Sequence, residues 1–410
     1  MKDKRILFIA PSSYPIFGAE ANVNAKVIKV LSDAGYMVDV ISRIQKGMEK
    51  AYPLSKDDFF FGKSSINLIP LNTGKNLKTI LNHLISFLKF GYIYKGIDWA
   101  YFAAIRCEEL IKQHHYDYIL TKNEPSEVVG LYLSKKYNIK WIPTWNDPYI
   151  WNKYPKPYGR GWNAGISFFR KRLINNICKQ ASSHIFPSEQ LKQYMLRYMT
   201  GMKEETCVVI PHLLLQNTHK FQPKEKADVL KIIHAGELGK ERNPETFLQG
   251  MEYFIRQMPG AKIEVIFLGT YVRQRIDYFH QLIEEKNLSP YIKVLNPVSY
   301  TESLDVVCQH DVCLIIEASC EEGVFLPSKV VDYLQCERKI FSVSPSKGVL
   351  KDLYTKGLID YFADVNNPEE IANAFLFMYN DFVNNTALKE KDISFFTEEC
   401  VLKSYEELLN

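Results

Sequence analysis

Apolar runs of strand length recur along the chain, each followed by a polar loop and then by a stretch whose apolar positions repeat at helical spacing. The first such run is RILFIA (Arg5 to Ala10), followed by the loop PSSYPIFGAE. NVNAKVIKVLSDAGYMVDVIS then reads as a helix, a Gly-containing turn and a second strand, which completes a βαβ unit. YDYILTKN (Tyr116 to Asn123), a helix around SEVVGLYLSKKY, IKWIPTW ending at Trp145, and SSHIFPSEQLKQYMLRYM continue the alternation. CVVIPHLL (Cys207 to Leu214) leads into QNTHKFQPKEKAD, a polar stretch that reads as a linker. LKIIHAGEL (Leu230 to Leu238) opens a second series, whose later strands are AKIEVIFLGT, YIKVLNPV, HDVCLIIEAS and RKIFSVS. The pattern predicts an α/β protein with two Rossmann-like doubly wound domains, placed at 1–205 and 206–385, and a C-terminal helix in 386–410 that can cross back to the first.

Composition narrows the class. A chain of 410 residues with 46% hydrophobic content is long enough for two or three separate cores. The net charge of +4 arises from 51 basic and 47 acidic residues, too balanced to make nucleic acid the main partner. The eight cysteines show neither CxxC nor zinc spacing, and several lie in apolar runs, so free thiols in a reducing cytosol are expected. The opening MKDKR leads into too short an apolar run for a signal peptide, and no later run reaches the roughly 18 to 20 apolar residues of a membrane span.

Candidate chemistry concentrates in Ile316 to Cys336, where a strand ends in EASCEEGVFLPSKVVDYLQC. Ser328 follows Pro327 as a candidate N-cap, Lys329 adds a cation, and Asp332 stands one turn further in. Backbone N–H groups, a hydroxyl and an ammonium at one helix start suit a diphosphate, and the carboxylate suits the vicinal hydroxyls of a ribose. The alternative is a capped surface helix that buries Val330, Val331 and Leu334. At another strand end, HAGELGKERNPETFLQGM carries Gly236, Gly239, Lys240 and Arg242, and a guanidinium fork matches phosphate geometry. In the first βα loop Gly18 allows close backbone approach and Glu20 follows near the helix start, although no G-x-G-x-x-G is present. Asp147 in WNDPY either orients a hydroxyl or caps the following turn. The histidines lack ligand spacing and no Asp-x-Asp occurs, so no metal site is expected.

PSKVVDYL resembles the nucleotide-sugar site of retaining glycosyltransferases with two facing Rossmann-like domains and an interdomain cleft, the GT-B group, and in particular its family 4. Members carry two acids eight positions apart; Asp332 stands for the second, whereas the first position is Val324, with Glu321 and Glu322 close by as substitutes. The resemblance implies that Gly18 faces donor phosphates and, with Ala19 and Glu20, the acceptor side. It also implies that Arg242, in the Arg242-Asn243-Pro244 motif, and Lys329 bind the diphosphate. Asn296, Pro297 and Val298 fall at the base pocket. Asn146 and Asp147 stand at the acceptor-side Arg-Asp of a family variant, without the His that many relatives have there. The implied activity is retaining, metal-independent sugar transfer from a nucleotide-diphosphate sugar to a glycan or lipid-linked acceptor, with donor-binding residues Gly18, Arg242, Asn296, Val298, Glu322, Pro327, Ser328, Lys329 and Asp332. Asp147, Arg242 and Lys329 carry the catalytic roles, and no further cofactor is required. The implied location is the cytoplasm, with a peripheral contact at the inner face of the membrane left open. Two other readings stay open: an inactive nucleotide-sugar-binding protein, and a membrane-surface scaffold using segments 76–96 and 162–178, which equally fit core helices.

Overall fold

The structure, a computed structural model, describes residues 4–14, 18–44, 64–70, 77–94, 96–215, 228–269 and 276–410. Most of the expected linker, 216–227, lies outside the described residues. The chain divides into two units, one made of Met1–Tyr154, Arg160–Leu213 and Glu398–Asn410, the other of Pro155–Gly159 and Leu214–Thr397.

In the first unit the elements run β1 (Arg5–Ile9), α1 (Ala19–Asp33), β2 (Met37–Ile44), β3 (Ser65–Pro70), α2 (Leu77–Phe90), α3 (Ile97–Gln113), β4 (Tyr118–Lys122) and α4 (Ser126–Tyr137). They continue with β5 (Lys140–Thr144), α5 (Phe168–Gln180), β6 (His184–Phe186), α6 (Glu189–Leu196) and β7 (Cys207–Val209). The described strands form one parallel sheet in the order β3-β2-β1-β4-β5-β6-β7. Ile6 to Ile9 and Tyr118 to Lys122 are buried throughout, as central strands are when helices cover both faces. The helix α4 lies so close to β5 that a Cβ on Gly130 would stand 2.2 Å from Trp141 Nε1, so only glycine fits there.

In the second unit the order is β8 (Leu230–Ala235), α7 (Glu245–Gln257), β9 (Ile263–Leu268), α8 (Ile276–Glu285), β10 (Ile292–Leu295) and α9 (Tyr300–Cys308). Then come β11 (Val312–Ile316), α10 (Lys329–Gln335), β12 (Lys339–Ser344), α11 (Val349–Thr355), β13 (Tyr361–Asp364) and α12 (Pro368–Val383). The parallel sheet is ordered β10-β9-β8-β11-β12-β13. Alternate residues of β11 feed two cores: Val312, Leu314 and Ile316 join Phe247, Phe254 and Phe375, while Cys313 and Ile315 join Val330, Leu334 and Leu350.

The expected break at 205/206 is corrected: β7 pairs with β6, so the first unit runs on to Leu213. The second unit likewise extends past 385 to Thr397, and it includes Pro155–Gly159. The last helix, α13 (Glu398–Leu408), falls in the first unit, where Tyr118 donates a hydrogen bond of 2.6 Å to the Leu409 carbonyl just beyond it. Of the segment 162–178, only the part from Phe168 on is helical.

Candidate functional site

In a doubly wound sheet, ligands bind beyond the carboxyl ends of the strands where the strand order reverses. That point lies between β8 and β11 in the second unit and between β1 and β4 in the first.

In the second unit β11 ends at Ile316, and the next residue, Glu317, is 2% exposed. Glu317 Oε1 accepts hydrogen bonds from Arg242 Nε (3.0 Å), the Ala318 amide (2.9 Å) and the Tyr158 hydroxyl, and Oε2 accepts from Arg242 Nη2 (3.3 Å). Burial works to raise the Glu317 carboxyl, but the Arg242 charge and these hydrogen bonds hold it below the usual carboxylate range. The Glu317 charge in turn outweighs burial and holds Arg242 well above its ordinary value. The pair leaves Arg242 Nη1 outside the fork. Tyr158 is anchored in the same unit by an edge-on contact with Phe325, with ring centroids 5.1 Å apart.

Beside this pair, Lys329 Nζ lies 2.9 Å from Nε2 of the buried His234, next to the end of β8. Burial first, then the charges of Lys329 and Arg242, push the imidazole well below its usual value, so it is neutral. Nδ1 lies 3.0 Å from the Leu314 carbonyl and must donate to it, which leaves Nε2 as the acceptor for Lys329. Burial and the neighbouring Arg242 charge lower the Lys329 ammonium to a pKa of about 7, against the pull of Glu317, Glu237 and Asp332. Gly236 has φ 114°, and a Cβ there would stand 2.8 Å from Lys329 Cε, so the glycine serves the lysine's position as well as the turn.

The helix α10 is tied to this strand end by the Tyr333 hydroxyl, 3.0 Å from the Ala235 amide. Asp332 is in its first turn, as expected, and its Oδ1 accepts a 2.6 Å hydrogen bond from Tyr300. The expectation for Ser328 is corrected in part: it occupies the N-cap position, but with φ −58° and ψ −27° it is already helical, and its hydroxyl caps no backbone N–H. Pro327 precedes it and accepts from the Val330 amide through its carbonyl (3.0 Å). Val324 is fully buried, where a carboxylate would be costly, whereas Glu321 is exposed and Glu322 part-exposed. In the β10–α9 loop Asn296 is exposed and Val298 packs against the core.

In the first unit, Gly18 opens α1 with φ 143°, a value that favours glycine, and nothing lies within 4 Å of where its Cβ would be. Ala19 is exposed beside it and Glu20 follows in the first turn. Asn123, directly after β4 and with φ 54°, donates from Nδ2 to Glu20 Oε1 (2.8 Å) and accepts at Oδ1 from the Asn146 amide (3.3 Å). Thus Glu20, Asn146 and Asp147, expected on the acceptor side, come together through a residue that sequence reasoning missed. Burial and then the Asp147 charge raise the Glu20 carboxyl to a pKa of about 7, and burial lowers the adjacent Lys122 to about 8. Asp147 lies in the bend after β5, three residues before Ile150, from which the 3₁₀ segment Trp151–Lys153 starts.

Glu317, Tyr158 and His234 were not singled out from the sequence as site residues. A carboxylate placed immediately after the apolar strand VCLII was the available signal for Glu317, since charge at a strand's carboxyl end marks a doubly wound site. Among the described residues no group of His, Cys, Asp and Glu is arranged to hold a metal ion.

Two doubly wound α/β units within one chain, each with charged groups at its switch point, define the GT-B architecture. The Anabaena HepE protein, solved in complex with UDP and glucose, shares it with a TM-score of 0.68 at 15% identity, over 99% of each chain. The sucrose-phosphate synthase from Thermosynechococcus elongatus gives 0.67 at 17% identity, over 99% of this chain and 98% of that one. The lipopolysaccharide outer core galactosyltransferase WaaB gives 0.61 at 14% identity, over 98% of each chain. No curated protein sequence matches the chain. Residues 21–213 match the family model for Glycosyltransferase Family 4, so over that stretch the chain is similar to this family.

Proposed function

We propose that the chain transfers a sugar, with retention of configuration and without a metal ion, from a nucleotide-diphosphate sugar to a glycan or lipid-linked acceptor. Its setting is surface polysaccharide or glycoconjugate synthesis at the cytoplasmic side of the cell. The observation that carries this reading is the pair of cations at the β8–β11 switch point, Arg242 held by Glu317 and Lys329 held by His234. Both are fixed before any ligand arrives, which is the preorganisation that stabilises a departing diphosphate. The UDP and glucose of the HepE complex support a nucleotide-sugar donor, and the lipopolysaccharide substrate of WaaB supports a surface-glycan acceptor. The donor diphosphate leaves against Arg242 and Lys329, the acceptor hydroxyl attacks the anomeric carbon from the same face, and the leaving phosphate takes the hydroxyl proton. On the first unit Asp147, with Glu20 beside it, offers a carboxylate that can bind a sugar hydroxyl.

A melting screen against nucleoside diphosphates identifies the donor base, since a ligand of the native state raises stability with its affinity. Turnover of the cognate donor should then continue in EDTA and give a product whose anomeric NMR coupling matches the donor's. Inversion, or loss of turnover in EDTA with rescue by magnesium or manganese, refutes the mechanism. Nucleotide binding with neither transfer nor donor hydrolysis indicates an inactive binding protein instead.

Asp332→Asn gives a test of the ribose contact. The amide keeps an acceptor for the Tyr300 hydroxyl but loses the charge, so folding should survive while the Kd for the nucleoside diphosphate rises about tenfold, the loss of one charge-assisted hydrogen bond. If Asp332 serves only Tyr300 and the helix dipole, calorimetric titration will show unchanged nucleotide affinity and the melting curve a loss of at most about 1 kcal/mol.

A further inference from the structure

The helix α2 is turned inside out. Leu77, Ile80, Leu81, Leu84 and Leu88 recur at intervals of three and four residues and so share one face, and all are exposed, Leu77 by 85% and Leu88 by 75%. The buried positions are polar: Asn82 is 7% exposed and Ser86 is 0% exposed, its hydroxyl turned back to the Asn82 carbonyl at 2.6 Å. A helix covering a domain core shows the opposite arrangement. The apolar surface continues on to the start of α5, where Phe169 meets Phe87 edge-on at 6.1 Å and Phe168 is exposed. Exposed apolar groups in such a continuous patch mark a surface that is covered in use.

Charge identifies what covers it. Residues 77–94 and 160–180 hold seven Lys or Arg and no Asp or Glu. Lys171 and Arg172, directly after the two phenylalanines, are exposed. Of the acids that reach this region from outside, Glu108 is paired with Lys89 and Lys136 and Glu124 with Arg170, while Glu127, which accepts from Tyr94, is buried. A second copy of the chain on a twofold axis would bring two such basic rims together and repel. An aliphatic stripe with a basic surround instead matches an anionic lipid surface, in which a helix of this length lies flat with its apolar face in the acyl boundary. Among the described residues no helix is long and apolar enough to cross a membrane, so the contact is peripheral.

We propose that α2 and the start of α5 form a docking face for an anionic lipid bilayer. This stands on the exposed face itself and not on the transfer chemistry, and it gives the lipid-linked acceptor reading a surface on which the acceptor is met.

The test is flotation of the full chain with vesicles of phosphatidylcholine alone and of phosphatidylcholine with phosphatidylglycerol, at low and high salt. The chain should float with the anionic vesicles, less so in high salt and hardly with phosphatidylcholine alone. Leu84→Glu with Leu88→Glu, and separately Lys171→Glu with Arg172→Glu, should each lower the bound fraction about tenfold while the melting temperature and nucleoside diphosphate binding stay as in the parent. Melting and nucleotide binding, read on the same samples, keep a failure of this proposal distinct from a failure of the transferase reading. No flotation with anionic vesicles, or flotation unchanged by the leucine pair, overturns it. So does a lipid-free dimer that the leucine pair dissolves, because the covering partner is then a second copy.

Discussion

Arg242→Ala should lower kcat/KM for the donor about ten- to a hundredfold, the effect of losing a charged hydrogen bond to phosphate of roughly 1.5 to 3 kcal/mol. It should also destabilise the fold, which the sequence alone did not suggest. Arg242 is the countercharge of Glu317, whose carboxylate is almost fully buried, and removing one member of a buried pair costs about 3 to 5 kcal/mol because the other charge is left uncompensated. Without the guanidinium, burial raises the Glu317 pKa in the folded state above its unfolded value. A carboxyl shifted in that direction costs stability above its folded pKa, and the cost fades as pH falls towards the unfolded value, so the deficit measured by urea unfolding should shrink between pH 7 and pH 5. Adding Glu317→Gln to Arg242→Ala removes the stranded charge and should recover much of the stability, yet donor use should stay low. A double variant that regains full kcat/KM would show that Arg242 acts only by neutralising Glu317 and does not meet the donor.

What the sequence made legible follows the range of the interactions involved. The strands were readable because β11 is an unbroken apolar run and β8 is mostly apolar, and the position of Asp332 was readable because a helix start is a local pattern. β3, a short strand with its side chains largely outside the core, gave a weaker signal. The partners of the site residues were not legible. Tyr158 reaches Glu317 from 159 positions away and Lys329 reaches His234 from 95, and no spacing rule connects residues that only the sheet topology brings together. The periodicity of α2 was likewise plain, whereas the side on which its leucines lie depends on what packs around it. Ser328 illustrates the reverse error: residue type and position favour a cap, but the chain is already helical at that residue and its side chain is not needed there.

Lys329→Met should impair donor use about tenfold or more and alter how stability responds to pH. In the folded chain burial and Arg242 hold the ammonium at a pKa of about 7, whereas an ordinary lysine titrates near 10.5. Between those values the unfolded chain binds one more proton than the folded chain, so this residue makes stability rise with pH from about 7 to 10.5; its cost is full below 7 and gone above 10.5. The methionine variant lacks that term. Its stability relative to the parent should therefore be greatest near pH 7 and decline by roughly 2 kcal/mol towards pH 10, less than the whole shift implies because the side chain is part-exposed. A diphosphate beside Lys329 favours the charged form, so donor binding at pH 8 should take up close to one proton, and affinity should weaken as pH rises from 7 to 9. Calorimetry in two buffers of different ionisation heat measures that proton directly. Proton uptake in the parent and none in Lys329→Met identifies the group; equal uptake in both, or none in either, would remove Lys329 from the diphosphate site.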